Sequence, residues 1–269
     1  MSEKILIFIP AYNCEKQIVR VLKQFDSEVL NYITEIIVIN NRSTDNTESA
    51  VENYAKENSS VPVKLLRNNE NYSLGGSHKV AFQYAQDNKF DYVIVLHGDD
   101  QGDIHDMIPL IKKGMHRKYD SLLGSRFEKQ SKLVNYSKFR IMGNKVFNAF
   151  ISVMVGKRIT DLGSGLNMYK TEYLRSKFYL TFPNNLTFNV YLLLYGIFSK
   201  SKFRFFALSW READQVSNAK LWKQSTEILK LTLQYVFSKK KIFGVKNNSF
   251  SKIDYSYEII CDNTTKEII

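Results

Sequence analysis

The chain has only two cysteines in 269 residues, Cys14 and Cys261. They lie far apart and in no metal-ligand spacing, which argues for a reducing compartment over a disulfide-stapled secreted scaffold and against a cysteine metal site. Long hydrophobic runs are also missing: the most apolar later stretch, Val190 to Phe198, is too short to cross a bilayer. No N-terminal signal segment is visible, so the protein is expected in the cytoplasm or, peripherally, on the inner face of the membrane. Repeats and low-complexity tracts are absent. Acidic residues are outnumbered, 27 against 38 basic, for a net charge of +11 and a pI near 9.4. Such a charge calls for a polyanionic partner. Nucleic acid is set aside because no recognised binding motif occurs and the aromatics sit inside apolar runs instead of alternating with basic residues. Anionic lipid, a phosphate-bearing acceptor or a merely solvated basic surface each account for the sign.

A hydrophobic content of 44% is enough for one large core, with or without a smaller appendage. Ile5 to Ile9 reads as a buried strand ended by Pro10, Ala11, Tyr12 and Asn13, followed by Ile18, Val21, Leu22 and Phe25 at helical spacing. Glu35 to Ile39 and Val63 to Leu66 are further strands, each followed by a helix, Thr47 to Lys56 and His78 to Gln86. Strand and helix alternate up to Leu96, which argues for an α/β fold with a parallel sheet wound with helices.

The richest segment is Asp91 to Asp103, DYVIVLHGDDQGD. Val93 to Leu96 form a strand run, Gly98 permits a sharp turn, and Asp99, Asp100, Gln101 and Asp103 follow at the strand's C-terminal end, where open α/β sheets bind ligands. Crowded hard oxygens suit Mg²⁺ or Mn²⁺, and through it the phosphates of a nucleotide. A solvated acidic turn would read the same way.

Six strings then occur in a telling order: IPAYN (Ile9–Asn13), INNRSTDNT (Ile39–Thr47), the Asn and Gly segment Asn71–Gly76, HGDDQ (His97–Gln101), GSR (Gly124–Arg126) and DLGSGLNMY (Asp161–Tyr169). Together, over about Ile5 to Lys220, they resemble family 2 glycosyltransferases, and within these the polyprenyl-phosphate, dolichol-phosphate mannose synthase-like branch. The resemblance implies a GT-A fold, a Rossmann-like nucleotide-sugar-binding fold with a mostly parallel central sheet flanked by helices. It places a catalytic domain at 1–219, with a nucleotide-sugar half (1–125) and an acceptor half (126–219), before a C-terminal amphipathic helix and tail at 220–269. The nucleotide is expected against Pro10, Ala11, Tyr12, Asn13, Asn41 and Gly75, with His97, Gly98 and Asp99 beside it. Asp99, Gln101 and His97 are the expected metal positions. Where the family usually has aspartates, this chain has Asn40, Asn41 and His97. Asn41 can accept from a base N–H through its amide oxygen, and neutral His97 can ligate a metal.

A hydroxyl acceptor needs a carboxylate base. The Glu-Asp dipeptide and the Gln, two residues, Arg-Trp motif common in hydroxyl-acceptor members are both missing. A polyprenyl phosphate is already anionic and needs cations, and the resemblance assigns Arg126 and Arg140, with Asn144 one helical turn on, to that phosphate. Asp161 is expected to orient a sugar hydroxyl and is the first candidate base should the acceptor be a hydroxyl. Trp210, Arg211 and Ser217 to Lys220 resemble the branch's closing loop, with Arg211 over the diphosphate. Transfer from a nucleotide sugar, with inversion, to a lipid phosphate is therefore the leading expectation. Its alternatives are transfer to a saccharide hydroxyl in cell-envelope glycan synthesis and an inactive nucleotide-sugar-binding protein. A nucleotidyltransferase is disfavoured because no Gly-rich, Arg-containing loop follows the first strand. Lys220 to Lys241 reads as an amphipathic helix with Leu221, Trp222, Ile228, Leu229, Tyr235 and Val236 on one face. Such a helix could lie on anionic membrane, with Trp222 and Tyr235 at headgroup level, or pack on the domain. Ile253 to Ile259 alternates as a further strand would.

Overall fold

The computed structural model describes residues 3–214, 221–243 and 253–264. Among the described residues ten strands form: β1 (Ile5–Ala11), β2 (Glu35–Asn40), β3 (Val63–Asn68), β4 (Tyr92–Leu96), β5 (Ser121–Ser125), β6 (Lys132–Val134), β7 (Leu166–Lys170), β8 (Phe203–Ala207), β9 (Ser209–Arg211) and β10 (Tyr257–Asp262). Eight make one sheet in the order β10-β3-β2-β1-β4-β7-β5-β8, while β6 and β9 pair separately. The run β3-β2-β1-β4 is parallel, as is β5 with β8. β7 is antiparallel to both its neighbours, and β10 closes the far edge antiparallel to β3.

The apolar runs are uninterrupted because the central strands are covered on both faces. In β1, Ile5, Ile7, Ile9 and Ala11 enter one core cluster, while Leu6 and Phe8 enter the other, as the period of two requires. Helices Glu15–Leu22 and Thr47–Glu57 cover the first face through Ile18, Val21, Leu22, Val51 and Tyr54. Helices Ser73–Asp87, Phe188–Phe198 and Leu221–Phe243 cover the second through Val80, Phe82, Phe188, Ile228, Leu231 and Tyr235.

Three details differ from the sequence reading. The third expected strand-to-helix loop is shorter, because the helix begins at Ser73 and takes in Gly75 and Gly76. Residues 220–269, read as an appendage, supply β10 to the sheet edge, and Lys79 donates from Nζ to the Tyr255 hydroxyl at 3.0 Å. Of the face of helix Leu221–Phe243 expected at a membrane, Ile228 and Tyr235 pack inward at 7% and 4% exposed, while Val236 stands 39% exposed. The side chains of Leu221 and Trp222 lie outside the described residues. Among the described residues no helix is long and apolar enough to cross a membrane.

Candidate active site

β1 lies between β2 and β4, so the chain leaves it first to one side and later returns on the other. That reversal opens a crevice at the C-terminal ends of the strands. Backbone contacts hold its walls: Gly98 N–H donates to the Pro10 carbonyl at 3.2 Å and Asn41 N–H to that of Ala11 at 2.9 Å. A Cβ on Gly98 would stand 2.9 Å from the Pro10 oxygen. Close approach, and not left-handed backbone, is thus why glycine occupies position 98. The left-handed residue of this turn is Asp100, at φ 59°.

On the nucleotide side, asparagines tie the loops together. Asn13 Oδ1 accepts from Thr44 N–H at 2.8 Å, and Asn13 N–H donates to Ser43 Oγ at 3.1 Å. Asn40, buried, donates to Glu48 at 2.7 Å and accepts from Ser43 N–H at 2.9 Å. Asn41 corrects the sequence reading: its Oδ1 already accepts from Asn68 Nδ2 at 2.8 Å and Tyr72 N–H at 2.9 Å, while Nδ2 donates to Asn71 at 2.8 Å. The acceptor expected to meet a base is therefore consumed inside the fold, and one N–H remains. Gly75 is likewise a packing residue, because a Cβ there would fall 2.8 Å from both Phe188 Cβ and the Pro183 carbonyl. Tyr12 stands 43% exposed at the rim.

The acidic turn divides into two pairs with different duties. Asp100, buried, accepts from Arg20 Nε at 2.7 Å, from Gln24 at 3.3 Å and from Arg211 Nη2, while its carbonyl takes Arg211 Nε at 2.8 Å. Asp103 caps the next turn, accepting from His105 N–H at 3.0 Å. Asp99 and Gln101 follow at the C-terminal end of β4, joined by Gln101 N–H donating to Asp99 Oδ1 at 3.2 Å. They offer one carboxylate and one amide oxygen, a set that fits a magnesium or manganese ion taking its remaining ligands from phosphates and water. No cluster of three or more His, Cys, Asp or Glu side chains among the described residues makes a protein-only metal cage.

His97 N–H donates to the Gly165 carbonyl at 3.0 Å, and Gly165 must lack a side chain because a Cβ would meet the ring at 2.8 Å. Among the described residues the His97 Nε2 is buried without a hydrogen-bond partner. Burial pushes His97 down and holds it neutral, with a lone pair available on one ring nitrogen; burial also pushes Asp99 up. His97 thus remains chemically able to ligate.

On the acceptor side, Arg126 and Asp161 form a fork: Nε to Oδ2 at 2.8 Å and Nη2 to Oδ1 at 2.7 Å. The same carboxylate accepts backbone N–H groups from Arg126 at 2.9 Å and Gly163 at 3.1 Å. Both Asp161 oxygens are committed, which removes the residue as a free base. Burial opposes the Arg126 charge, and the Asp161 carboxylate more than restores it, leaving its pKa above the ordinary arginine value. The guanidinium lies 5.1 Å from the Trp210 ring. Arg140 donates through Nη1 to both Glu212 oxygens at 2.9 and 2.7 Å and lies over Tyr136 at 4.5 Å. Among the described residues, Nη1 of Arg126 and Nη2 of Arg140 have no hydrogen-bond partner. β9 carries Arg211 to the acidic turn, its N–H donating to the Gln101 carbonyl at 3.0 Å. Ser217 to Lys220, expected in a closing loop, lie outside the described residues.

Sequence reasoning missed Asp100, Arg20, Gln24 and Glu212 as the residues that aim Arg211 and Arg140. Asp100 stood in plain view in the acidic run, and only its left-handed backbone shows that it turns away from its neighbour.

The glycosyl transferase family 2 model matches residues 6–178. An undecaprenyl-phosphate mannosyltransferase of Micrococcus luteus is 24% identical over 173 residues, 64% of this chain and 69% of that protein. A UDP-N-acetylglucosamine–dolichyl-phosphate N-acetylglucosaminyltransferase of Methanococcus voltae is 25% identical over 199 residues, 67% and 78% of the two chains. In structure, glucosyl-3-phosphoglycerate synthase from Mycobacterium tuberculosis, solved with Mn²⁺, UDP and glucosyl-3-phosphoglycerate, aligns with a TM-score of 0.60 at 14% identity, covering 96% of this chain and 87% of that one. That likeness is one of fold, and the fold is GT-A.

Proposed function

The chain belongs to glycosyl transferase family 2, and on that premise, supported by its similarity to polyprenyl-phosphate-sugar transferases, we propose that it moves a sugar from a nucleotide-sugar donor to a lipid phosphate, with inversion. The observation that carries this reading is the state of the acceptor-side carboxylates. Asp161 and Glu212 are both paired with arginine, so neither is free to take a proton from a hydroxyl. A phosphate acceptor brings its own negative charge and needs none taken.

The donor's nucleoside lies along Pro10 to Asn13, with the exposed Tyr12 ring against the base and the remaining Asn41 N–H as a donor. Asp99 and Gln101 would hold a divalent cation, with His97 at hand as a further ligand. The ion, when bound, supplies positive charge against the departing diphosphate. Arg211, aimed by Asp100, adds a fixed cation on the same side. Arg126 and Arg140 meet the acceptor phosphate with their unpartnered Nη groups, and their carboxylate partners hold both forks in one orientation. The protein's contribution is positioning and electrostatics, and the anomeric carbon is displaced in line.

The test is a panel of nucleotide sugars scored by nucleoside diphosphate release, with and without an isoprenoid phosphate and Mn²⁺. Release that depends on the isoprenoid phosphate is expected. Release driven equally by neutral saccharides, and unaffected by Arg126→Gln or Arg140→Gln, would replace this acceptor with a hydroxyl.

A further inference from the structure

We infer that helix Lys138–Val155 is the face by which the enzyme docks on an anionic lipid bilayer. Phe139, Met142, Val146, Phe150 and Val153 recur every three or four residues and are 84%, 66%, 64%, 52% and 83% exposed. That spacing is one stripe of a helix, turned to solvent instead of to the core. The opposite side does the packing, with Ile151 fully buried and Asn148 donating to the Thr160 carbonyl at 2.8 Å. A continuous exposed apolar stripe is unusual on a surface that faces only water.

The charge around the stripe selects its occupant. The helix contains no acidic residue, and Lys138 and Lys145 are exposed on it. Segment Leu221–Phe243, helical on either side of a kink at Ser238, packs against it, exposes Phe237 by 81% and carries exposed Lys239, Lys240 and Lys241 beyond the kink, with Glu227 its one acid. A second copy of the chain would set these lysines against each other, whereas anionic headgroups complement them while acyl chains receive the stripe. The surface lies in the interface and does not span, since neither helix qualifies as a crossing segment.

The inference rests on the lipid-phosphate reading for its purpose. Arg140 follows Phe139 on the same helix but turns inward to Glu212. Docking of the outer stripe therefore brings the acceptor-side arginine to headgroup depth, where a lipid's phosphate lies.

The experiment is co-sedimentation of the full chain with vesicles of phosphatidylcholine alone and of phosphatidylcholine mixed with phosphatidylglycerol. Binding to the mixed vesicles is expected, weakened by salt, and lowered about ten-fold or more in a Phe139→Gln, Val146→Gln, Phe150→Gln variant. Because all three side chains are exposed, melting temperature should not move. Turnover on a short-chain, water-soluble isoprenoid phosphate should also persist in the variant, with loss confined to acceptor embedded in vesicles. Parental vesicle binding by the variant would overturn the proposal. So would a dimer in solution that the same changes dissolve, with no vesicle binding by either protein. If the variant loses binding while no isoprenoid phosphate serves as acceptor, docking stands and the acceptor reading falls.

Discussion

Asp161→Asn separates a structural anchor from a catalytic base. The Asp161 side chain is 1% exposed and that of Arg126 16%, and the carboxylate receives four donors, two from the guanidinium and two from backbone N–H groups. An asparagine keeps one acceptor oxygen and turns an NH₂ toward the remaining donors. It also leaves the arginine charge buried without its partner, a loss of about 3–5 kcal/mol. For a chain of this size that corresponds to a drop of roughly 6 to 20 °C in melting temperature. Differential scanning calorimetry reads it directly. Arg126→Met made together with Asp161→Asn should cost less than the sum of the two single changes, because the unpaired charge is then gone while the asparagine oxygen still serves backbone donors. A melting temperature unchanged in Asp161→Asn beside a collapse of turnover would refute the reasoning and return Asp161 to the role of base.

Asp99→Ala should lower turnover by about 10²-fold or more, while His97→Asp should preserve it and sharpen its dependence on Mn²⁺; a metal titration of initial rates checks both. Gly165→Ala should cost about 1–3 kcal/mol and raise the donor KM, because the added methyl meets the His97 ring at 2.8 Å; thermal melts and donor saturation curves report the two effects. Glu3 is held down to about 2, from 4.5, chiefly by its hydrogen bond to Arg117. Its stabilisation is complete above pH 4.5 and lost as pH falls through about 2, so Glu3→Gln should flatten the acid limb of a stability curve measured by denaturant titration.

Much of the fold could be read from the chain. Ile5 to Ile9, Glu35 to Ile39, Val63 to Leu66 and Val93 to Leu96 become adjacent parallel strands, because runs so largely apolar are stable only where both faces are covered. The helix after β3 was placed late, at His78, because Gly75 and Gly76 read as loop formers. Both are helical, and neither has room for a side chain, Gly75 against Phe188 and Pro183 and Gly76 against Tyr72. The C-terminal strand was half legible: alternation from Ile253 to Ile259 indicated a strand, but nothing local could show that it pairs with β3.

What the sequence determined by itself was therefore the alternation of strand and helix, the family, and the short list of loops that meet at the site. These follow from local spacing and from motif order. Only the tertiary structure decided which of several like residues points where. Asp99 and Asp100 are adjacent carboxylates, yet one takes the Gln101 N–H and the other clamps Arg20 and Arg211. Asn41 resembles a ligand-binding amide, yet its oxygen is filled by Asn68 and Tyr72. Asp161 and Arg126 are 35 residues apart and become one buried fork. The apolar spacing of helix Lys138–Val155 is written in the sequence, but its stripe is exposed because the core it would have covered is already filled by other helices. Hydrogen-bond and burial partners are chosen by the whole packed chain, and a sequence states only which groups are present to be chosen.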